Sequence, residues 1–418
     1  MIHADKSAHE WYRFVLSFPP HLVREYSKRF SLKQNSLVLD PFCGTGTTLV
    51  ECKKIGIPSV GVESHPMSCF ASQTKVDWEP NGIDLLDHAN RIATRARCQL
   101  AAQGIPDTLL YRRGGLADLR TLPPEVMDLL LTDSISPRPL HKALVLLENI
   151  REMDDERFRD HELLALAKAL VNSISNLHFG PEVGVVAPKD DCEVVSAWLA
   201  VIEEMSIDLR VLAPLQTTRA TAHRADSREI EHVLPPRSVD AVITSPPYPN
   251  EKDYTRTTRL ESVILGFIST KAELRRVKHG LIRSNTRNVY KDDADDLWIR
   301  NQSDILAIAA QIEARRIELG KTSGFEKNYA KVTRQYFGGM ARHLETLKKI
   351  LRPGAQLAYV VGDQASFLRV MIRTGQLLAA VASERGYEVL AIDLFRTRLA
   401  TATREQLREE VILLRWPG

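Results

Sequence analysis

Short apolar runs alternate along this chain with stretches whose apolar residues recur at helical spacing. Ser36-Leu37-Val38-Leu39 is too short for a helix and suits a fully buried strand; Ile57 to Glu63, Val239 to Ile243 and Gln356 to Asp363 read the same way. Helices are predicted from His21 to about Phe30, with Pro20 at the start where its missing N–H costs nothing, and through Leu49, Val50 and Cys52. Later ones are predicted over Tyr336 to Leu351, ended by Arg352-Pro353-Gly354, and from about Val370 to Arg385. Tyr387 to Ile392 and Glu410 to Leu414 complete an antiparallel hairpin. Strands alternating with helices predict an α/β, Rossmann-like sheet.

From about Ala71 to Leu215 the pattern changes. Ile83 to Gln103, Leu140 to Ile150, Glu162 to Ile174 and Val194 to Met205 all have helical spacing, and Phe179 to Gly184 reads as a loop. The expected organisation is therefore a first half of a catalytic domain at 1–70, a mostly helical insertion at 71–215, and a second half at 216–418. A basic helical insertion is expected at about 268–332.

The strand at 36–39 runs into Asp40-Pro41-Phe42-Cys43-Gly44-Thr45-Gly46-Thr47-Thr48, a turn in which Thr47 and Thr48 offer hydroxyls to cap the next helix. Strand, glycine turn and helix open a doubly wound sheet, whose ligands lie beyond the carboxyl ends of the strands. No lysine follows Gly46, so a phosphate loop of the Walker type is excluded. Leu49 stands where a dinucleotide turn needs its third glycine, which disfavours a nicotinamide oxidoreductase. An acid at position 40 repels a pyrophosphate and suits a cationic ligand such as S-adenosylmethionine. Glu63 ends the second strand at the spacing of roughly 20 residues that a ribose-binding carboxylate needs.

The strand at 239–243 runs into Thr244-Ser245-Pro246-Pro247-Tyr248-Pro249-Asn250. Two adjacent prolines fix φ twice and remove two donors, leaving a stiff loop of carbonyls. The amine of cytosine or adenine is a poor nucleophile because its lone pair is delocalised into the ring. The Ser245 hydroxyl and the Pro246 carbonyl can accept its hydrogens and expose that lone pair, while Tyr248 stacks on a base rotated out of the duplex. A sulfonium donor needs no metal.

Together these two motifs resemble the amino-methyltransferase family of DNA methyltransferases, which make N4-methylcytosine or N6-methyladenine. The resemblance covers the two ends of the chain and leaves the middle unmatched. It implies a seven-stranded S-adenosylmethionine-dependent methyltransferase sheet, with the cofactor held by Asp40, Pro41, Phe42, Cys43, Gly44, Gly46, Thr47, Thr48 and Glu63. It also implies that Asp226 accepts from the adenine amine, and that the aromatic stretch His9-Glu10-Trp11-Tyr12-Arg13-Phe14, leading to Phe18-Pro19-Pro20, covers the methionine end. Ser245, Pro246, Pro247 and Tyr248 become the catalytic loop, and the helical insertion a candidate target-recognition region. A weaker echo of that loop, Ser134-Ile135-Ser136-Pro137, lacks the second proline and the aromatic.

Cytosine-C5 methylation needs a cysteine nucleophile, usually after proline, and none of the five cysteines follows one. Serine at 245 tilts the reading to cytosine N4. N6-adenine methylation, an RNA amino-methyltransferase and a catalytically dead cofactor-binding regulator are the alternatives. Composition changes little: 44% hydrophobic and 26% charged residues describe a globular chain. With no membrane span, signal peptide or CxxC pair, a cytoplasmic location without metal or disulfides is expected. A net charge of +3 is too small to mark a nucleic-acid binder, so contacts to double-stranded DNA fall to local patches. Arg275, Arg276, Lys278, Arg283 and Arg287, interleaved with small polar residues, form the candidate phosphate surface. A cognate restriction endonuclease is a candidate partner.

Overall fold

The computed structural model describes residues 6–12, 17–108, 119–180, 183–250, 252–399 and 406–418. Arg13 and Phe14 of the aromatic stretch, and Pro181 and Glu182 of the expected loop, lie outside these. The chain divides into two compact units, one of Phe18–His65, Arg219–Asp253 and Val277–Gly418, the other of Met1–Ser17, Pro66–Thr218 and Tyr254–Arg276.

The first unit is built on seven strands: β1 Val38–Asp40, β2 Ser59–Glu63, β3 Ala220–Arg224, β4 Val239–Thr244, β5 Leu351–Gly362, β6 Glu388–Leu399 and β7 Gln406–Arg415. Their order across the sheet is β3-β2-β1-β4-β5-β7-β6. The first five are parallel, and β7 runs antiparallel to both β5 and β6. The order reverses between β1 and β4, which makes their carboxyl ends the switch point where such sheets bind ligands. Successive residues point to opposite faces, so each central strand feeds two cores. Val38, Ala241, Ile243 and Ala358 pack with Leu22, Val23 and Tyr26 of helix α1 (Pro20–Arg29). Leu39, Val242 and Leu357 share the opposite core with Tyr336, Phe337 and Met340.

Helix α2 (Thr47–Lys54) follows β1. Helices α3 (Ser303–Glu318) and α4 (Tyr329–Leu347) precede β5, and α5 (Thr374–Glu384) follows it. Arg352-Pro353-Gly354, expected to end a helix running to Leu351, lies instead within β5. There the pairing jumps from Val239–Leu351 to Ala241–Gln356. Proline and glycine are absorbed as a bulge, with Gly354 at φ +87° donating to the Trp416 carbonyl at 2.7 Å.

The second unit is mostly helical, with helices at Pro66–Val76, Gly82–Ala102, Pro137–Glu152, Arg159–Ala169 and Val194–Leu212. Asn81 caps the longest, accepting from the N–H groups of Ile83 and Asp84 at 2.8 and 3.3 Å. Phe179 and Val183, expected in a loop, pair as part of a small antiparallel hairpin. The Ser134-Pro137 echo ends no strand, and its Ser136 and Pro137 start the helix Pro137–Glu152. Buried hydrogen bonds bring the N-terminal residues into this unit: Trp11 Nε1–H donates to Asp208 at 2.8 Å and the Tyr12 hydroxyl to Glu261. Among the described residues no helix is long and apolar enough to cross a membrane.

Close packing of α4 gives a first prediction. Alanine suits a helix interior better than glycine by about 1 kcal/mol. A Cβ at Gly338, however, would stand 1.9 Å from the backbone oxygen of Asp295. The clash outweighs the propensity, so Gly338→Ala is expected to lower the urea unfolding free energy by about 1–3 kcal/mol. A midpoint at or above the wild type would contradict this packing.

Candidate active site

Strands β1 and β4 pair through Leu39 and Val242, so the loops that follow them leave the same edge of the sheet side by side. Asp40 clasps those loops together. It is 1% exposed, and its Oδ1 accepts from the Thr244 hydroxyl at 2.6 Å and from the Phe42 N–H at 3.1 Å. Its Oδ2 accepts from the Thr48 hydroxyl at 2.6 Å. Burial nevertheless pushes its carboxyl up to about 6, against the pull of the three donors. The acid expected to face a cationic ligand is thus engaged by the fold from three sides. Nor does the Thr47-Thr48 pair cap α2: the N-cap is Gly46, left-handed at φ +88°, with no side-chain bond to the helix end. Thr48 has its hydroxyl turned to Asp40 instead.

The bend between β1 and α2 is shaped for close approach. Gly44 has φ +51°, and a Cβ placed there would meet nothing within 4 Å, so space opens directly in front of the backbone. Cys43 packs away from that space, against Gly61, where an added Cβ would lie 2.6 Å from the Cys43 sulfur. Glu63 closes the other side. Its carboxylate accepts from the Gly44 N–H at 2.9 Å and the His65 N–H at 2.7 Å, and burial pushes it up to about 7. The Phe42 ring sits edge-on to His343, centroids 4.8 Å apart.

His343 and Tyr359 were not legible as site residues, since each reads as an ordinary position on a helix or strand. His343 Nδ1–H donates to the Ser227 carbonyl at 2.9 Å, which leaves Nε2 to accept from the Tyr359 hydroxyl at 2.7 Å. Burial pulls the imidazole down to about 4, so it stays neutral and rigid beneath Phe42. Asp226 directly precedes Ser227, the residue whose carbonyl His343 holds. It caps the turn Ser227–His232 through the Arg228 N–H at 2.9 Å and pairs with the Arg228 guanidinium at 2.6 Å. Phe18 packs half-buried on the α1 side of the sheet.

In the loop after β4, the Ser245 hydroxyl donates to the Val360 carbonyl at 3.1 Å and lies 3.5 Å from the Tyr248 hydroxyl. The Tyr248 ring rests against Gly362, where an added Cβ would come within 3.2 Å of it. Burial holds its phenol protonated, pushed up to about 12.

The basic segment departs from expectation at two of its five residues. Arg283 is 2% exposed, donates to the carbonyls of Lys278 and His279 at 2.9 and 3.1 Å, and pairs with Asp293. Lys278 pairs with Asp253 at 3.0 Å. Both are tied up internally, because their partner acids come in from elsewhere in the chain. Arg275, Arg276 and Arg287 remain exposed. Among the described residues no group of three metal-ligating side chains gathers.

The strand order, with its loops at the switch point, makes this a Rossmann-like seven-stranded sheet. A family model described as DNA methylase (N6_N4_Mtase) matches residues 4–73. The Type II methyltransferase M.BsoBI of Geobacillus stearothermophilus is 24% identical over 98% of this chain and 84% of its own length. M.AvaI of Nostoc, also a Type II methyltransferase, is 23% identical over 99% of this chain and 87% of its own. M.MjaII of Methanocaldococcus jannaschii is 35% identical over 17% of this chain and 13% of its own length. These likenesses support kinship with the amino-methyltransferases of DNA, the family model over residues 4–73 and the relatives over almost the whole chain.

Asp40→Ala removes a charged acceptor from three donors at once. Hydrogen bonds to charged groups contribute about 1.5–3 kcal/mol each, and removing the desolvated carboxylate offsets part of their sum, so a net loss of about 3–5 kcal/mol in urea unfolding is expected. Thr244→Val is expected to lose about a third of that. An Asp40→Ala protein as stable as wild type would show that the clasp does not hold the loops.

Proposed function

We propose that this protein moves the methyl group of S-adenosylmethionine to the exocyclic N4 amine of a cytosine rotated out of double-stranded DNA. One observation carries the reading: the glycine bend and the Ser245-Pro246-Pro247-Tyr248 loop leave neighbouring strand ends, joined by Asp40 and Thr244 at 2.6 Å. The open space before Gly44 and the acceptor positions left on Glu63 fit an adenosyl ligand. When bound, that ligand would supply an activated methyl on a sulfonium, whose sulfur keeps the bonding pair and departs as a neutral thioether without metal help.

The chain's own residues prepare the acceptor. Ser245 gives its single proton to Val360, so its oxygen lone pairs stay available to the amine's hydrogens. The Pro246 carbonyl takes the second hydrogen, and the amine lone pair is freed from the ring. Tyr248 stacks on the extruded base, with Gly362 leaving room for its ring. No strong base is needed, because the methylated ammonium sheds its proton readily. In this reading Glu63 holds the ribose, the helical unit reads the target sequence, and the relatives' Type II class supports a restriction-modification setting with a cognate endonuclease. Serine at 245 favours cytosine over adenine.

The test is direct. Methyl-tritiated cofactor and duplex DNA are incubated with the protein, the DNA is digested to nucleosides, and the label is expected in N4-methylcytosine. Label in N6-methyladenine would overturn the choice of base, and label in RNA alone would overturn the DNA reading. Tyr248→Ala forfeits stacking of about 1–3 kcal/mol, so kcat/KM is expected to fall about five- to hundredfold.

A pH dependence follows from Glu63. Its carboxyl titrates near 7 in the fold against 4.5 when unfolded. In the ligand-free protein the stability it lends is complete below its unfolded value and is lost as pH rises through about 7. Ribose hydroxyls need the ionised form, so affinity for S-adenosylhomocysteine is expected to weaken as pH falls through 7 and to flatten in Glu63→Gln. Calorimetric titration showing a wild-type affinity independent of pH would contradict this role.

A further inference from the structure

Among the described residues, the methyl-transfer edge of the sheet carries five arginines that the chemistry above does not use. Arg369 and Arg373 lie in the loop after β5, Arg396 and Arg398 near the end of β6, and Arg408 near the start of β7. The pairing places them together. Glu409 faces both Gly362 and Arg396, Arg408 faces Thr397, and Leu407 faces Arg398. Arg396, Arg398 and Arg408 therefore stand level with Gly362, the residue against which Tyr248 rests, and Arg373 joins them through Asp363.

Charge is layered at this edge. The carboxylates lie inside: Asp363 holds Arg373 at 2.6 Å and Arg408 at 3.3 Å, Glu409 holds Arg396 at 2.6 Å and Arg398 at 3.6 Å, and Glu410 meets Arg408 at 3.2 Å. The Asp363 side chain is fully buried, whereas those of Arg396 and Arg398 are 58% and 50% exposed. Each guanidinium has five N–H donors in a planar fork, so an inner acid orients it while outer donors stay at the surface. Among the described residues, five cations over three shielded anions leave the outer layer positive.

The loop itself is strained. Leu368 and Arg369 are consecutive non-glycine residues at φ +55° and +65°, and the bridge between Gln364 and Ile372 holds the loop closed around them. Arg369, the second of the pair, is exposed at the tip. Resting on the DNA-methylation reading above, we propose that this ridge, formed by the 365–373 loop and the ends of β6 and β7, grips the phosphate backbone of double-stranded DNA beside the extruded base. Rows of partly exposed arginines pre-oriented by inner acids match bidentate phosphate contact. The ridge, rather than the segment at 275–287, becomes the principal phosphate surface.

Fluorescence anisotropy with a labelled DNA duplex over a salt series separates the two surfaces. One variant combines Arg369→Ala, Arg396→Ala and Arg398→Ala, which spares the arginines that pin Asp363. A second combines Arg275→Ala, Arg276→Ala and Arg287→Ala. The ridge variant is expected to lose at least tenfold in affinity, and its salt slope to fall by roughly 0.9 for each phosphate contact removed. Its S-adenosylhomocysteine affinity should match wild type, while its melting temperature falls because Glu409 loses both partners. A triple Arg→Lys ridge variant, which keeps the charge, should retain most of the salt slope and guards against misfolding of the alanine variant. A ridge variant that binds duplex as wild type does overturns the ridge alone. A wild-type protein that binds no duplex DNA overturns the underlying DNA reading, and the ridge falls with it.

Discussion

One buried carboxylate organises the site. Parallel pairing of β1 and β4 only brings two loop origins to the same edge. The hydrogen bonds from Thr244, Thr48 and Phe42 to Asp40 convert that proximity into a fixed arrangement. The cost is a desolvated acid, visible as a carboxyl pushed up to about 6. Three donors offset the penalty, and the protein keeps a polar group in its core where an apolar one would pack without registering the loops.

A second tier of buried polar contacts stiffens the surroundings. Neutral His343 spans the Ser227 carbonyl and the Tyr359 hydroxyl, tying the turn after β3 to β5 beneath Phe42. Arg228 does the same further out, joining Asp226, Asp295 and the His279 carbonyl. Arg283 collects neighbouring carbonyls of that same segment. The segment read as a DNA surface is in this respect part of the scaffold around the sheet's ligand edge.

Much of this was legible before any coordinates. Buried strands announce themselves as short apolar runs, and β1, β2, β4, the start of β6 and the end of β7 fell where those runs predicted. The glycine bend and the double-proline loop were legible because their backbone demands restrict residue choice. What stayed hidden depended on distant partners. Thr48 reads as a helix cap until β1 and Asp40 are placed beside it, and Arg283 reads as free until Asp293 folds back on it. The Pro353-Gly354 turn reads as a stop, because a bulge inside a strand leaves the same local signature. Alternation in β6 is broken at two bulges, so its arginines showed no face of their own in the linear pattern.

The central claim is that the space before Gly44 and the loop at Ser245 to Tyr248 serve one methyl-transfer event. Ultraviolet labelling with methyl-tritiated S-adenosylmethionine, followed by peptide mapping, tests it most directly. The account predicts label on peptides carrying residues 41–46 or 245–248, suppressed by excess S-adenosylhomocysteine. Suppressible label confined to peptides from neither loop would contradict it.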